Sequence, residues 1–372
     1  MAGKFHWLKH IIRFSNYVRI GSIVLIISLL IAYLTPLIHP ENLWLLPFFG
    51  LAYPILVAIL FITIIYWLLM RKWKWVLALL VLFLIGISYF LRLFAFGEVI
   101  ETPINAKTSL KILSNNVQIF DLYDENRQQK YQTRDSIFNY AIAQEPDIVC
   151  FQEFYNKDNP TDFQTIQLFK KEFKAVDYHQ RFIYKPVGRQ NFGVIMFSRL
   201  PVIAKGDVNF EYQDETNYNF CIYMDVVKNT DTFRIYNAHL QSFRISKIED
   251  DTLKTEQIKG IAEKLRTAYP KRADQAMSIH EHIQNSPYPV IICGDFNDTP
   301  VSFVYNQFSS LLTDAFLNCG SGIGATYVGK LPAGRIDYIF HSPALVSTGF
   351  NIQKSYFSDH RAVSCTISKI NP

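Results

Sequence analysis

Acidic, amide and imidazole side chains recur at the ends of short apolar runs in this 372-residue chain. Strand ends lead into the loops that present catalytic groups, so an ordered series of such residues predicts a common site. Burying many polar groups in one place is costly unless a cation or an anionic substrate satisfies them. The series is Asn116, Glu153, His239, Asp295, Asn297, Asp337, Asp359 and His360.

The oxygen-bearing members of this series predict a hard divalent cation. Carboxylate and amide oxygens are the ligands that suit Mg²⁺ or Mn²⁺. No Cys/His spacing indicates a zinc site, and the 5 cysteines form no CxxC pair. Their odd number and dispersed spacing argue against a disulfide framework.

Apolar runs rich in β-branched and aromatic residues predict the strands that position these groups. Helical patterns separate some of the runs, at residues 134–144 and about 252–284. Strands interspersed with a few helices predict an α/β or α+β layered fold. The predicted strands are residues 110–117, 148–151, 192–197, 222–227, 233–238, 290–293, 336–340 and 362–367.

The first 100 residues differ sharply from the rest and predict a membrane anchor. Apolar stretches indicate spans at about residues 20–38, 43–70 and 75–96. The hydrocarbon core that each would have to cross is about 30 Å thick. Eight Lys or Arg and two acids fall in this part, so it carries the whole positive excess of the chain. The remainder, 101–372, is close to neutral, which disfavours unspecific nucleic-acid binding.

The basic residues also predict the orientation of the anchor. The short loop at residues 39–42 has no Lys or Arg, whereas both other flanks are basic and should face the cytoplasm. Three spans then place residues 101–372 outside the cytoplasm, and we expect the inner membrane of a bacterium. The basic flanks contain Lys4, Lys9, Arg13, Arg19, Arg71, Lys72 and Lys74.

From about Thr108 to Ile370 the chain resembles the endonuclease/exonuclease/phosphatase superfamily. That superfamily includes exonuclease III-like nucleases, pancreatic-type deoxyribonucleases, sphingomyelinases and inositol-polyphosphate 5-phosphatases. The resemblance implies a four-layer α/β sandwich, with two mixed β-sheets flanked by helices and the site at one edge, here preceded by three transmembrane helices. It rests on NV at Asn116, QE at Glu153, AHL at His239, the GDFN that contains Asp295 and Asn297, RIDYI around Asp337 and SDH ending at His360.

The resemblance implies a metal site made by three of these residues. Asn116 and Glu153 match the Mg²⁺ ligands of the family, and Asp359 matches a further or outer ligand. Asn115 leaves a one-residue choice of register; Asn116 is favoured because Val117 follows it.

The resemblance implies catalytic roles for the other five. Asp295 matches the residue that deprotonates or orients the attacking water. Asn297 and His239 match groups that hold phosphate oxygens. His360, oriented by Asp337, matches a histidine that acts either as a base or as a phosphate stabiliser.

The implied function is an Mg²⁺-dependent phosphodiesterase that uses a metal-assisted, in-line attack by water. The substrate is a phosphate ester, either a lipid headgroup or a nucleic acid, and no protein partner is evident. Anchoring beside a bilayer favours a lipid, while the GRIDYIF and SDHRAV motifs resemble the nuclease branch. A nuclease acting on extracytoplasmic nucleic acid and a non-catalytic, membrane-tethered binding domain both stay open as alternatives.

Overall fold

A computed structural model describes residues 2–97, 108–123, 129–158, 161, 163–210, 219–243, 255–329, 334–355 and 357–369. The chain divides into two compact units, Met1–Leu93 with Val301–Phe303, and Phe94–Pro300 with Val304–Pro372. The predicted domain boundary at residue 100 lies outside the described residues.

The first unit consists of apolar helices. Two segments, Ser15–Leu34 with 20 residues and Leu46–Leu69 with 24, are long and apolar enough to cross a membrane. The predicted third span is divided into two helices. At 1.5 Å per residue, the longer of the two is only about 20 Å long. The third span therefore stays a prediction. The helices are α1 (Ala2–Leu34), α2 (Leu46–Leu69), α3 (Trp73–Ile85) and α4 (Ile87–Leu91).

The break in the third stretch occurs at Gly86, between α3 and α4. The Tyr53 hydroxyl donates to the Gly86 carbonyl at 3.2 Å, and the Tyr33 hydroxyl donates to the Leu82 carbonyl at 3.0 Å. A Cβ atom on residue 86 would lie 2.2 Å from the Tyr33 ring. Only glycine fits this close approach.

The second unit is built on two six-stranded mixed sheets, with strand orders β13-β14-β2-β3-β5-β4 and β10-β12-β9-β8-β7-β6. The strands are β1 (Ala95–Phe96), β2 (Leu110–Asn116), β3 (Ile148–Lys157), β4 (Asp177–Lys185), β5 (Gln190–Ser198), β6 (Val202–Val208), β7 (Phe220–Lys228), β8 (Asp231–His239), β9 (Val290–Asp295), β10 (Thr313–Asp314), β11 (Ser321–Gly322), β12 (Asp337–His341), β13 (Leu345–Ile352) and β14 (Val363–Lys369). The helices are α5 (Gln129–Ala143), α6 (Thr165–Phe173), α7 (Thr255–Gln284), α8 (Phe303–Ser309) and α9 (Ala315–Cys319).

Three apolar layers hold these elements together. Side chains such as Ile112 and Cys293 fill the space between the two sheets. Phe138 and Phe169 of α5 and α6 cover the outer face of the first sheet. Ala276 of α7 packs with residues on the outer face of the second. The helix–sheet–sheet–helix arrangement confirms the predicted α/β sandwich.

All eight predicted strands are present, and both predicted helices occur within one turn or so of their expected bounds. Residues 252–254 of the second lie outside the described residues. The sequence patterns do not predict β1, β4, β6, β10, β11, β13, α6, α8 and α9. β4 and β6 are half exposed, so they lack the apolar pattern that marks a buried strand.

Strand pairing brings the candidate residues to one edge. The parallel strands β2 and β3 place Asn116 beside Gln152. The parallel strands β8 and β9 place His239 beside Asp295. Since β12 runs antiparallel to β9, its first residue, Asp337, also lies beside Asp295.

Candidate active site

Asp295 lies at the centre of the site, and its side chain is only 1% exposed. The Asn116 side-chain amide donates to Oδ2 at 2.9 Å, and the main-chain N–H of Asn297 donates to Oδ1 at 2.8 Å. Burial raises the pKa of Asp295, which the imidazoles of His360 and His239 only partly counteract. A carboxylate with a raised pKa is suited to accept a proton from water.

His360 lies between two carboxylates. Its Nδ1 is 3.0 and 3.1 Å from the two oxygens of Asp337, and its Nε2 is 3.7 Å from Oδ2 of Asp295. Burial lowers the pKa of His360, but the charges of Asp337 and Asp295 outweigh it and raise this pKa to about 10. The two carboxylates therefore favour the cationic form of the imidazole.

Glu153 and His239 form one wall of the site. Nε2 of His239 lies 3.6 Å from Oε1 of Glu153 and 3.8 Å from Oδ2 of Asp295. Glu153 has a left-handed backbone with φ 51°, where the register of β3 against β5 shifts between Phe151 and Phe154. Such a bulge redirects a side chain out of the regular strand alternation.

Asn116 makes contacts that differ from those of a metal ligand. Its amide nitrogen lies 2.9 Å from Asp295 and 3.4 Å from Glu153. Its oxygen accepts the main-chain N–H of Gln118 at 3.0 Å. In this orientation Asn116 donates to the two carboxylates, and it would have to turn its amide to offer oxygen to a cation.

Asp359 completes the set. Its Oδ1 lies 3.9 Å from Nε2 of His360, and its main-chain N–H donates to Oε1 of Gln118 at 3.2 Å. Burial raises the pKa of Asp359; His360 opposes this, and the charges of Glu153 and Asp295 raise it further, to about 6. The crowded carboxylates thus repel one another.

A divalent cation fits this donor set. Glu153 and Asp359 are partly exposed, at 35% and 29% of their side chains, and offer hard oxygen atoms. A bound cation would relieve the repulsion that raises the pKa of Asp359. A buried group that could also hold a metal ion is formed by Asp295, Asp337 and His360. Each of them offers one ligand atom, and these three atoms lie within 4.8 Å of one another.

Asn297 uses both hydrogens of its side-chain amide within the protein. It donates to the Leu240 carbonyl at 3.0 Å and to Oδ2 of Asp295 at 3.1 Å. Its backbone is left-handed, with φ 53°. These contacts orient Asp295 and tie the turn after β9 to the segment after His239.

All eight predicted site residues thus lie at one edge of the two-sheet sandwich, each within 3.9 Å of another member. Tyr327 belongs to the same edge but was missed. Its ring lies 5.1 Å from the His360 ring, edge to face, and the two residues form an antiparallel bridge. No sequence signal marks it, because it lies in an irregular segment and tyrosine is common in cores.

A cleft of about 260 Å³ opens beside Glu153 and His239. Its other walls include Lys185 and Phe192 from the β4–β5 hairpin, and Tyr123. The Lys185 ammonium lies 5.0 Å from the Phe192 ring centre. The cleft offers room for a ligand next to the carboxylates.

Below the site, a buried polar network joins the two sheets. The Gln152 amide donates to Oδ1 of Asn237 at 2.7 Å and to the Ser114 hydroxyl at 3.0 Å. The Asn237 amide donates to the carbonyls of Phe151 and Ile195, both at 3.0 Å. These hydrogen bonds tie the two sheets together at the base of the site.

Comparison with known proteins identifies two regions. A sequence model of the Endonuclease/Exonuclease/phosphatase family matches residues 115–360. A model of a domain of unknown function (DUF8431) matches residues 15–93. No curated protein matches the chain in sequence.

Solved structures share the fold. An endonuclease/exonuclease/phosphatase from Beutenbergia cavernae is 16% identical with a TM-score of 0.51, over 70% of this chain and 72% of that one. A protein of the same family from Bacteroides thetaiotaomicron is 18% identical with a TM-score of 0.50, over 71% and 99%. One from Bacteroides vulgatus is 16% identical with a TM-score of 0.50, over 71% and 100%. At these identities the likeness concerns the fold alone.

Proposed function

Since the chain belongs to the endonuclease/exonuclease/phosphatase family and is therefore a phosphoester hydrolase, we propose that it is a membrane-anchored, Mg²⁺-dependent phosphodiesterase acting outside the cytoplasm. The observation that carries the proposal is the environment of Asp295. This carboxylate is buried, has a raised pKa and is held by Asn116 and Asn297 beside two imidazoles. No member of the predicted site is missing, which favours catalysis over binding alone.

In the proposed reaction Asp295 orients a water molecule and takes its proton. Asn297 fixes the direction of the carboxylate through its main-chain N–H and its side-chain amide, so that the carboxylate presents its charge to the water without a reorganisation cost. His360, cationic through its pairing with Asp337, stabilises the negative charge that builds on the phosphate. The raised pKa of His360 supports the stabilising role over the role of base.

His239 and Asn297 are proposed to hold phosphate oxygens. His239 lies between Glu153 and Asp295, where its imidazole can reach a phosphate bound over both. Asn297 would exchange its bond to the Leu240 carbonyl for one to the phosphate. Glu153 and Asp359, with Asn116 after its amide turns, would hold Mg²⁺. The bound ion would offset charge on the phosphate and stabilise the leaving oxygen.

The choice between lipid and nucleic acid is a matter for a substrate panel. The full chain, purified in detergent, is assayed with Mg²⁺ on sphingomyelin, glycerophospholipids, DNA, RNA, a nitrophenyl phosphodiester and a nitrophenyl phosphomonoester. Preference for the diester over the monoester is the expected result. Binding without turnover of any of these esters would contradict the proposed function.

Removal of divalent metal is expected to abolish hydrolysis. Activity should vanish with excess chelator and return with Mg²⁺ or Mn²⁺, because Glu153 and Asp359 supply hard oxygen donors. The measurement is turnover of the best substrate against metal concentration. The matched variant Glu153→Gln keeps the shape of the side chain but should need far more Mg²⁺. Full activity in excess chelator would refute the metal proposal.

The membrane orientation is tested by reporters placed on either side of the third apolar stretch. We expect a reporter fused after Lys72 to be cytoplasmic, because Arg71, Lys72 and Lys74 are basic. A reporter fused after residue 100 should be extracytoplasmic, because α3 and α4 together complete the third span. Each fusion is made with two reporter enzymes, one active only outside the cytoplasm and one active only inside it, and their activities are compared. Cytoplasmic location of both fusions would show that the anchor has two spans.

A further inference from the structure

Arg272, in the middle of α7, is a fully buried arginine on the outer layer of the fold, with a side-chain exposure of 0%. Its guanidinium lies 4.3 Å from the Phe243 ring centre and 5.1 Å from that of Tyr269. A buried guanidinium is costly to desolvate. It therefore calls for an explanation beyond packing.

One end of this side chain holds the segment that follows His239. Nε of Arg272 donates to the Gln241 carbonyl at 2.7 Å. One helical turn on, Oε1 of Gln275 accepts the main-chain N–H of Gln241 at 2.8 Å. Both polar groups of the Gln241 main chain are thus fixed by α7, two residues beyond His239.

The other end reaches the turn that follows Asn297. NH1 of Arg272 lies 3.3 Å from Oδ2 of Asp298, an ion pair without hydrogen-bond geometry. Between the two contacts, the Asn297 amide donates to the Leu240 carbonyl. The main-chain N–H of Leu240 donates to the Asp295 carbonyl at 3.0 Å. Arg272 therefore bridges the two segments that follow His239 and Asn297.

We infer that Arg272 is a positioning residue for catalysis, which holds the main chain after His239 against the turn after Asn297. This role rests on the proposed function. Arg272 acts through the main chain of Gln241 and through Asp298, and it does not touch the phosphate. Because transition-state contacts depend on position to within about 1 Å, loosening either loop should lower turnover more than it weakens substrate binding.

The test is Arg272→Met in the full chain, with kcat, KM and the melting temperature measured together. We expect kcat to fall about 10- to 100-fold, while KM changes by less than about threefold. Orthovanadate, which mimics the five-coordinate transition state, should lose affinity in step with kcat. Arg272→Lys should recover part of kcat, because its ammonium can still donate to the Gln241 carbonyl.

Arg234→Met is the matched control. Arg234 also pairs with a buried carboxylate, Asp225, at 2.7 Å, and its guanidinium lies 4.3 Å from the Tyr223 ring centre. It lies five residues before His239 on β8, about 16 Å along the strand. We expect this variant to melt earlier but, while folded, to keep the kcat and KM of the wild type.

Asp298→Asn is the second test variant, to be used if Arg272→Met does not fold. The Asp298 side chain is 12% exposed, so its substitution should disturb folding less. It should lower kcat several-fold, and adding it to Arg272→Lys should cost little more. A folded Arg272→Met protein with wild-type kcat, or fully additive losses in the double variant, would overturn the inference. A wild type that hydrolyses no ester in the panel would instead refute the proposed function.

Discussion

Asp295→Asn is expected to cut turnover by about 10²- to 10⁴-fold, the usual contribution of a positioned acid or base. The amide keeps the shape of the carboxylate but cannot take a proton from water. Asn116 and Asn297 would still hold one side of it, so the site should keep its geometry. The measurement is kcat on the best substrate of the panel, at saturating Mg²⁺.

The same variant should stay folded, which separates chemistry from stability. Burial raises the pKa of Asp295, so ionising this group costs stability at neutral pH, and the neutral amide removes that cost. Asp225→Asn is the contrasting control, since it weakens the ion pair with Arg234 far from the reacting atoms. It should lower the melting temperature and leave kcat unchanged. Turnover near the wild-type value in Asp295→Asn would refute the proposed mechanism.

His360→Ala is expected to be comparably severe, because it removes the cation that stabilises charge on the phosphate. Asp337→Asn should act through His360, whose Nδ1 it holds at 3.0 Å. The double variant should therefore be little slower than His360→Ala alone. All three turnover numbers are compared per folded molecule.

Stability gives a second readout of the same pair. His360→Ala leaves the Asp337 carboxylate buried without its imidazole partner, which is strongly destabilising. The double variant removes that unpaired charge, so it should melt at a higher temperature than His360→Ala. Additive losses of turnover would leave the site intact as a proposal but would contradict the pairing of Asp337 with His360.

Much of the fold follows from local patterns. The eight apolar runs that predict strands are all strands, because a buried strand must be apolar over several consecutive residues. The exposed strands β4 and β6 have no such requirement, and only their pairing with β5 and β7 makes them strands. The apolar helices of the first unit are equally predictable from hydropathy up to Gly86. There, contacts of Tyr33 and Tyr53 accompany a break that hydropathy does not reveal.

The identity of the eight polar residues was also readable from the sequence, since each occurs in a short motif at or near the end of an apolar run. Of their mutual arrangement, the pairing of His360 with Asp337 was expected, whereas the orientations of the two amides were not. Asn116 directs its nitrogen, not its oxygen, at the carboxylates, and Asn297 uses its amide to hold Asp295. Both outcomes depend on which donors and acceptors face the side chain, and these come from distant parts of the chain.

The sequence alone determined which chemical groups this protein has and which strands deliver them, because residue type and periodicity are local properties. Only the tertiary structure decided how those groups act on one another. It placed Tyr327 against His360 and joined Arg272 to loops more than 25 residues away on either side. It also raised the pKa of Asp295 and of His360. Burial and charge proximity are sums over the whole neighbourhood, and the neighbours meet only when both sheets have assembled.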